Sequence, residues 1–251
     1  MKKWFAFSAI FLSSYLAFLV ANAPLSLVVN NIQLPKHIEL HDVSGSIWQG
    51  EISRLWVSNY QIEKVKTSVS FLSLLSLSPS VQVFFGDAMS TGPEGKFNLS
   101  VSSEQLLLTD MELFISANDI AKQLPLPIPV RAQGSVELFL SELVIVTGEQ
   151  LVCSRAEGNV TWSRAGVIAL EENIKLGKFS AEISCDDGKL LAKVSPKNNL
   201  GLSFDSALVL NTQKVSGKGY LKPGAKFPSQ LRSALSFIGR PDNQGGYQLK
   251  F

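Results

Sequence analysis

The feature that most constrains the fold of this chain is an alternation of apolar and polar residues that recurs through most of the sequence. In the segment HIELHDV, Ile38 and Leu40 alternate with His37, Glu39 and His41. Successive side chains of a β-strand point to opposite faces, so this pattern predicts a half-buried strand. Further segments alternate in the same way: GEISRLWVS, SVQVFFGD, GKFNLSVS, LLLTDMELFIS, GSVELFLSELVIV, GNVTWSRAGVIAL, GKFSAEISCDDGKLLAKVS and LGLSFDSALVLN.

Turn-forming residues separate these segments at short intervals, as at Gly86-Asp87, Gly92-Pro93, Asp186-Asp187-Gly188 and Pro196-Lys197-Asn198-Asn199. Many short strands with this spacing are typical of an all-β protein. We therefore predict a large, curved, mostly antiparallel sheet, either open or closed into a half-barrel.

Two short segments outside the N-terminus have helical character. The first is Ala117 to Leu124, with Asn118 or Asp119 as the N-cap, and the second is Phe227 to Gly239, with Gly239 as the C-cap. We expect both helices to cover an open end or an edge of the sheet, because unpaired strand edges promote aggregation.

The N-terminus is apolar. No charged residue lies between Lys3 and Lys36, and the 18 residues from Trp4 to Ala21 are about the minimum needed to cross a hydrocarbon core roughly 30 Å thick. Lys2 and Lys3 favour a cytoplasmic N-terminus. The expected organisation is a cytoplasmic tail at 1–3, a single transmembrane anchor at 4–25 and a periplasmic β domain at 34–251.

A cleaved signal peptide is the alternative interpretation of this segment, because Ala21-Asn22-Ala23 fits a small-x-small cleavage site. The apolar stretch exceeds the usual length of a signal peptide core, and Pro24 follows the cleavage site. These two features favour a retained anchor. Both interpretations send most of the chain across the membrane.

The sequence contains two cysteines, Cys153 and Cys185. An even number of cysteines in an oxidising compartment favours a disulfide, and two buried free thiols are the alternative. There is no Cys-x-x-Cys sequence that would indicate a redox centre or a zinc site.

A structural role is predicted for a group of glycines and tryptophans: Gly45, Trp48 and Gly50 in VSGSIWQG, and Gly158 and Trp162 in AEGNVTW. A phosphate-binding loop requires a following helix, whereas VSGSIWQG is followed by further alternation. We expect the glycines to lie at bends or bulges and both tryptophans to fill the inside of a curved sheet. The alternative is a surface that faces lipid or a partner.

Residues suited to catalysis are sparse. His37 and His41 are the only histidines, and with Glu39 they lie too far apart on a strand to bind one metal ion without distortion. Gly-x-Ser-x-Gly is absent, and adjacent acidic pairs such as Glu171-Glu172 point to opposite faces of a strand. We predict no enzymatic activity, no metal site and no cofactor.

Charge excludes one class of partner. The formal net charge is only +2, and the lysines are scattered singly among the predicted strands. Nucleic-acid binding requires clustered Lys and Arg, so we do not expect it.

The sequence resembles the type II secretion system protein N family, also called general secretion pathway protein N. The resemblance rests on the N-terminal apolar segment, on VSGSIWQG, on the segment CSRAEGNVTW…LGKFSAEISCDDGKL with its two cysteines, and on the C-terminal LRSALSFIGRPDNQGGYQLKF. It implies an inner-membrane protein with a periplasmic β domain that assists the export of folded proteins across the outer membrane. The chain is also distantly similar to AsmA-like proteins, whose open sheets are associated with lipid transport.

Two functions follow from this resemblance. The first is an interaction protein that binds other type II secretion system subunits beside the inner membrane. The second is an AsmA-like protein that binds lipid or carries it between membranes. The family implies no catalytic residues.

Overall fold

The structure of the chain is a computed structural model. It describes residues 2–32, 34–35, 38–58, 60–71, 73, 78–87, 92–124, 129–169 and 171–250. The helices are α1 (Lys2–Ala21), α2 (Leu25–Asn31), α3 (Ala117–Gln123) and α4 (Leu235–Ile238), with a 3-10 turn at Ser229–Leu231.

The strands are β1 (Ile38–Gly45), β2 (Gln49–Val57), β3 (Tyr60–Val69), β4 (Ser80–Phe85), β5 (Glu94–Val101), β6 (Gln105–Ser116), β7 (Arg131–Val146), β8 (Val152–Ala169), β9 (Glu172–Asp186), β10 (Lys189–Val194), β11 (Leu202–Val209), β12 (Lys214–Leu221) and β13 (Tyr247–Lys250).

All the strands of the described residues belong to one sheet, in which each strand pairs with its neighbours in the sequence, from β1 to β13. Every pairing is antiparallel. Because β1 and β13 do not pair with each other in this arrangement, the sheet is open. The prediction of an all-β, mostly antiparallel, curved sheet is confirmed, and of the two predicted forms, open or half-barrel, the structure shows the open one.

The alternation in β1 explains how the sequence selects this sheet. Ile38, Leu40 and Val43 are half-buried, whereas Glu39 and His41 are exposed. The step of three residues from Leu40 to Val43 coincides with a positive φ of 55° at Asp42, which interrupts the regular alternation of the strand.

Bulges bend the long central strands. Between β7 and β8 the register shifts at Gly134, where φ is +91°, and between β8 and β9 it shifts around Arg164. A Cβ at Gly134 would lie 2.1 Å from the carbonyl oxygen of Ser163, so this position requires glycine for space as well as for φ. An extra residue in one strand bends that strand and increases its twist, which accounts for the curvature of the sheet.

Helix α3 follows β6 and packs mainly on β7. Its N-cap is Ser116, whose hydroxyl accepts a hydrogen bond from the backbone N–H of Asn118 at 3.3 Å, so the predicted N-cap at Asn118 or Asp119 is wrong by two or three residues. Ser116 ends a strand in extended conformation, which is the geometry an N-cap requires.

The predicted helix over Phe227 to Gly239 is only partly present. A 3-10 turn occupies Ser229–Leu231, α4 covers Leu235–Ile238, and Gly239 is the C-cap as predicted. Phe227 is buried at the start of this segment.

The N-terminal apolar segment forms α1, but α1 ends at Ala21 instead of continuing past Pro24. Pro24 lacks an N–H donor and is the N-cap of α2 in extended conformation, which separates the two helices. Within the described residues, no helix combines the length and apolarity that a membrane span requires.

Candidate interaction surfaces

One side of the sheet is apolar across ten strands. Residues directly opposite each other on neighbouring strands lie on the same side of the sheet. Following these pairs from β4 to β13 gives one row without a charged residue, here called the apolar row: Phe85, Gly95, Leu113, Leu138, Val160, Ala181, Val194, Phe204, Gly219 and Leu249. The side of the sheet that contains this row is the apolar face.

The opposite side is polar. A second row of paired residues, here called the charged row, crosses all the strands: Ser44, Glu51, Lys66, Phe84, Lys96, Glu112, Phe139, Asn159, Glu182, Lys193, Asp205, Lys218 and Lys250. Charges of opposite sign often stand next to each other in this row. Lys96 Nζ, for example, lies 3.0 Å from Glu112 Oε1. The side that contains this row is the polar face.

The apolar face is only partly covered. The chain has a solvent-accessible surface of 17,081 Å², whereas a compact monomer of 27.3 kDa has about 11,000 Å². Leu113, Leu138 and Val160 are half-buried although they lie in central strands. The excess surface comes both from the exposed helix α1 and from a single layer of sheet that packs on little else.

Two small clusters cover part of this face. In the first, Ala117 and Ala121 of α3 pack on Ala132. In the second, Ala165, Ile174 and Leu176 pack against side chains that include Leu231 of the C-terminal segment. The two helical segments therefore cover only limited patches of the apolar face.

Trp162 lies between the two clusters and contacts both. Its ring stacks on Phe179 with centroids 5.5 Å apart, and its Nε1 donates a hydrogen bond to the carbonyl oxygen of Gln133 at 2.8 Å. Its ring therefore packs on the apolar face while its polar atom is satisfied by the backbone of β7.

Trp48 lies elsewhere, in the turn between β1 and β2. Its Nε1 donates to the carbonyl oxygen of Val20 in α1 at 3.0 Å, and its ring contacts Phe71 edge-to-face at 5.4 Å. The two tryptophans that the sequence analysis groups together thus have different surroundings: Trp48 joins the N-terminal helix to the start of the sheet.

The three glycines also differ. Gly45 has φ of +82° and closes the β1–β2 hairpin opposite Gly50. A Cβ at Gly50 would lie 2.4 Å from Leu25 Cδ2, so the lack of a side chain lets α2 approach the sheet. At Gly158, a Cβ would lie 2.4 Å from the carbonyl oxygen of Phe139, which requires a residue without a side chain between β7 and β8.

The cysteines are joined. Cys153 in β8 and Cys185 in β9 form a disulfide with Cα atoms 5.6 Å apart. The backbone N–H of Cys153 donates to the carbonyl oxygen of Gly188 at 3.0 Å, so the disulfide lies beside the β9–β10 hairpin.

One of the two histidine positions, His41, lies within the described residues. His37 lies outside the described residues, and His41 is exposed on β1 with its Nε2 3.7 Å from Glu39 Oε2. In the described part of the chain, no three His, Cys, Asp or Glu side chains are grouped to bind a metal ion.

The two outer strands present open edges. β1 pairs only with β2, and β13 pairs only with Lys218–Leu221 of β12, within the described ranges. The strand β12 therefore continues over Lys214–Gly217 beyond the end of its pairing with β13. Unpaired edge strands are the usual sites of strand addition by a partner.

A hydrogen-bonded turn holds β13 in place. Asp242 Oδ1 accepts from the backbone N–H groups of Gln244 and Gly246 at 2.9 Å each, and Asp242 Oδ2 accepts from the hydroxyl of Tyr220 at 3.1 Å. The two backbone donors lower the pKa of Asp242 below its ordinary value. Burial, together with the hydrogen bond to Asp242, raises the pKa of Tyr220, so the phenol stays a donor at neutral pH.

The sequence profile of the family described as type II secretion system (T2SS), protein N matches residues 36–250. This range covers the sheet from β1 to β13. The chain belongs to the type II secretion system protein N family.

Members of this family resemble the chain over nearly its full length. The type II secretion system protein N of Aeromonas hydrophila is 27% identical over 254 residues, covering 100% of this chain and 98% of the relative. The protein N of Vibrio cholerae serotype O1 is 26% identical over 98% of this chain and 97% of its own length. No solved structure matches the chain significantly.

Proposed function

We propose that the chain is an inner-membrane accessory component of the type II secretion system, and that it acts by binding other subunits of that system with its β-sheet. Family membership over the whole sheet is the observation that carries this proposal. The open edges of β1 and of β12–β13 support a binding role, because they offer unpaired backbone donors and acceptors.

The location is part of the same proposal. The side chains of Trp4, Phe7, Phe11 and Phe18 in α1 are more than half exposed. Exposing so many large apolar groups to water is unfavourable, which supports a position of α1 in the apolar phase of the inner membrane. The sheet would then lie in the periplasm, where the disulfide between Cys153 and Cys185 is stable.

Gene deletion tests this function. We expect an exported hydrolase to accumulate in the periplasm of the deletion strain and the wild-type gene to restore its release. A periplasmic protein that does not use this export route serves as the control and should be unaffected. Normal release of the hydrolase from the deletion strain would contradict the proposal.

The location has its own test. We expect alkaline phosphatase fused after the last strand to be active, and we expect the full chain to stay with membranes in an alkaline carbonate wash. Replacing Phe11 and Leu16 by Lys should release the chain, because charged groups are expensive to bury in lipid. Retention of this variant would show that α1 is not the membrane contact.

A second function, lipid binding, is supported by one specific observation. The apolar row extends over ten strands of a half-exposed face, which offers a continuous apolar surface for acyl chains. Mass spectrometry tests this function by identifying phospholipid that copurifies with the chain extracted from membranes. The amount of bound phospholipid should decrease in the variant Leu138→Glu but not in the polar-face variant Asn159→Glu. Equal lipid content in both variants would exclude the apolar face as the lipid site.

A further inference from the structure

Charge is segregated along the sheet, although the net charge of the chain is small. Residues 38–187 contain 10 Lys and Arg against 19 Asp and Glu, which gives −9, whereas residues 188–251 contain 10 against 2, which gives +8. Because the strand order follows the sequence, this division is also spatial. Strands β1 to β9 form an acidic part, and β10 to β13 with the C-terminal segment form a basic part. The interpretation of the lysines as singly scattered is therefore incomplete.

The basic part has few internal partners for its cations. Within the described residues, Lys189 is the one cation of this part that lies within 4.0 Å of a carboxylate, that of Asp187. Lys193 and Lys218 both lie opposite Asp205 in the charged row, so one carboxylate stands between two ammonium groups. Lys214 is exposed where β12 extends past β13, and Lys218 is exposed where the pairing of β12 with β13 ends.

The acidic part ends at the opposite edge. Glu39 and Asp42 lie on β1, and their side chains are 69% and 65% exposed. Glu51 follows on β2 and is also exposed. The charged row therefore begins with Ser44 and Glu51 at one edge and ends with Lys218 and Lys250 at the other.

At the same two edges, the apolar face of one copy would match the apolar face of the other. Val215, 68% exposed on β12, and Leu249 on β13 lie on the apolar face at the basic edge. Val43 lies half-buried at the acidic edge, opposite Ile52, on the face opposite to Ser44 and Glu51 of the charged row. Joining the two edges would continue apolar residues on one face and opposite charges on the other.

The direction of the strands defines how two edges of this kind can meet. All neighbours are antiparallel, so β1 and β13, the first and the last of 13 strands, run in the same direction. If a second copy is moved across the strands without rotation, its β1 lies parallel to β13 of the first copy. The apolar faces of the two copies are then on the same side. Rotating the copy to make this pair antiparallel would instead turn its apolar face to the polar side.

We propose that two copies of this chain associate edge to edge, with β1 of one copy parallel to β13 of the other and the acidic part of one beside the basic part of the other. The contact joins two different surfaces, so it repeats into a ring or a short filament. The unpaired cations at one edge and the exposed carboxylates at the other select a second copy as the partner.

Sedimentation of the full chain in a non-ionic detergent tests this association. We expect oligomers at low salt that dissociate in about 1 M NaCl, where the Debye length falls to about 3 Å. Reversing the basic edge with Lys214→Glu and Lys218→Glu, or the acidic edge with Glu39→Lys and Glu51→Lys, should weaken association by about tenfold. Circular dichroism and thermal melting verify that each variant is folded.

A mixture of the two variants is the decisive experiment. Each variant alone has two edges of the same sign, whereas the mixture again pairs acidic edges with basic edges and should restore association. Lys175→Glu with Lys178→Glu on the central strand β9 changes the charge equally at exposed positions and should leave association unchanged.

Three outcomes would overturn the proposal. The first is a wild-type chain that stays monomeric at every concentration. This outcome includes a chain that does not bind a second copy but binds an acidic subunit of another kind. The second is a basic-edge variant that associates as the wild type does. The third is a mixture that does not recover, since this would show that the charges act through the fold and not across an interface.

Discussion

At the scale of single residues, Asp242 connects the last strand to the rest of the sheet. Its carboxylate binds two backbone N–H groups of the turn before β13 and the hydroxyl of Tyr220 on β12. Without this turn, four residue pairs among the described residues would hold β13 on β12. One exposed side chain therefore orders the basic edge of the sheet.

The pKa of Asp242 makes this edge sensitive to acid. Because folding lowers this pKa, the contribution of the carboxylate is fully present above the ordinary value of 3.8 and is lost as the pH falls through the lower, folded value. We expect the hydrogen-exchange protection of the Gln244 and Gly246 amides to decrease in that acidic range. Asp242→Asn should lack this pH dependence. The same pH dependence in both proteins would exclude Asp242 as its origin.

Residue-level prediction from the sequence is correct where a local rule decides. The alternation in β1 places Ile38 and Leu40 correctly, and Gly239 is the C-cap. The surroundings of Trp48 and Trp162 could not be predicted, because they depend on α1 in one case and on two distant clusters in the other. The similar local sequences around the two tryptophans do not determine contacts with distant residues, such as the hydrogen bond of Trp48 to a residue 28 positions away.

At the scale of elements, the disulfide joins the two long strands β8 and β9. The cysteines are separated by 32 residues, so the covalent link removes conformational freedom mainly from the unfolded chain. The same strands carry the bulges that bend the sheet. The disulfide therefore stabilises a pair of strands whose register is interrupted by bulges.

Replacing both cysteines by Ala should lower the free energy of unfolding by about 3.5 kcal/mol in the chain-entropy model. Denaturant unfolding with and without a reductant measures this change. The wild-type chain under reducing conditions should approach the Cys153→Ala/Cys185→Ala variant, and the variant itself should not respond to the reductant. An unchanged wild-type midpoint would contradict the prediction.

The helices show where element prediction fails. The position of α3 follows from its sequence, but its N-cap is Ser116, which the alternation assigns to the preceding strand. The N-terminal helix begins as expected and ends early, because the effect of Pro24 depends on whether the chain continues as one helix or turns onto the sheet. That choice is made by contacts with the β1–β2 turn, such as the hydrogen bond of Trp48.

At the scale of the whole molecule, the sheet is one layer with an apolar face that helices cover only in patches. Most domains bury such a face against a second layer. Within the described residues, the two clusters cover only part of this face, and its leucines and valines in central strands stay half-buried. The sequence predicts the curved antiparallel sheet but not the degree of exposure of its faces, since alternation looks the same whether or not a face is covered.

Two leucines on β7 allow a test of how exposed the apolar face is. Leu140 is 7% exposed, whereas Leu138 on the same face is half-buried. We expect Leu140→Ala to cost about 2–3 kcal/mol of unfolding free energy and Leu138→Ala about 1 kcal/mol, because less apolar surface is lost at the second site. Denaturant unfolding of both variants in the absence of lipid is the measurement. Equal costs would show that the apolar face is covered.

The order of the strands has a consequence for how the chain reaches this structure. Among the described strands, each one pairs with its neighbours in the sequence. Proteins with such local pairing fold quickly, because little loop-closure entropy is lost before contacts form. The sheet can therefore grow strand by strand from its first hairpin, each following strand pairing with the edge of the part already formed.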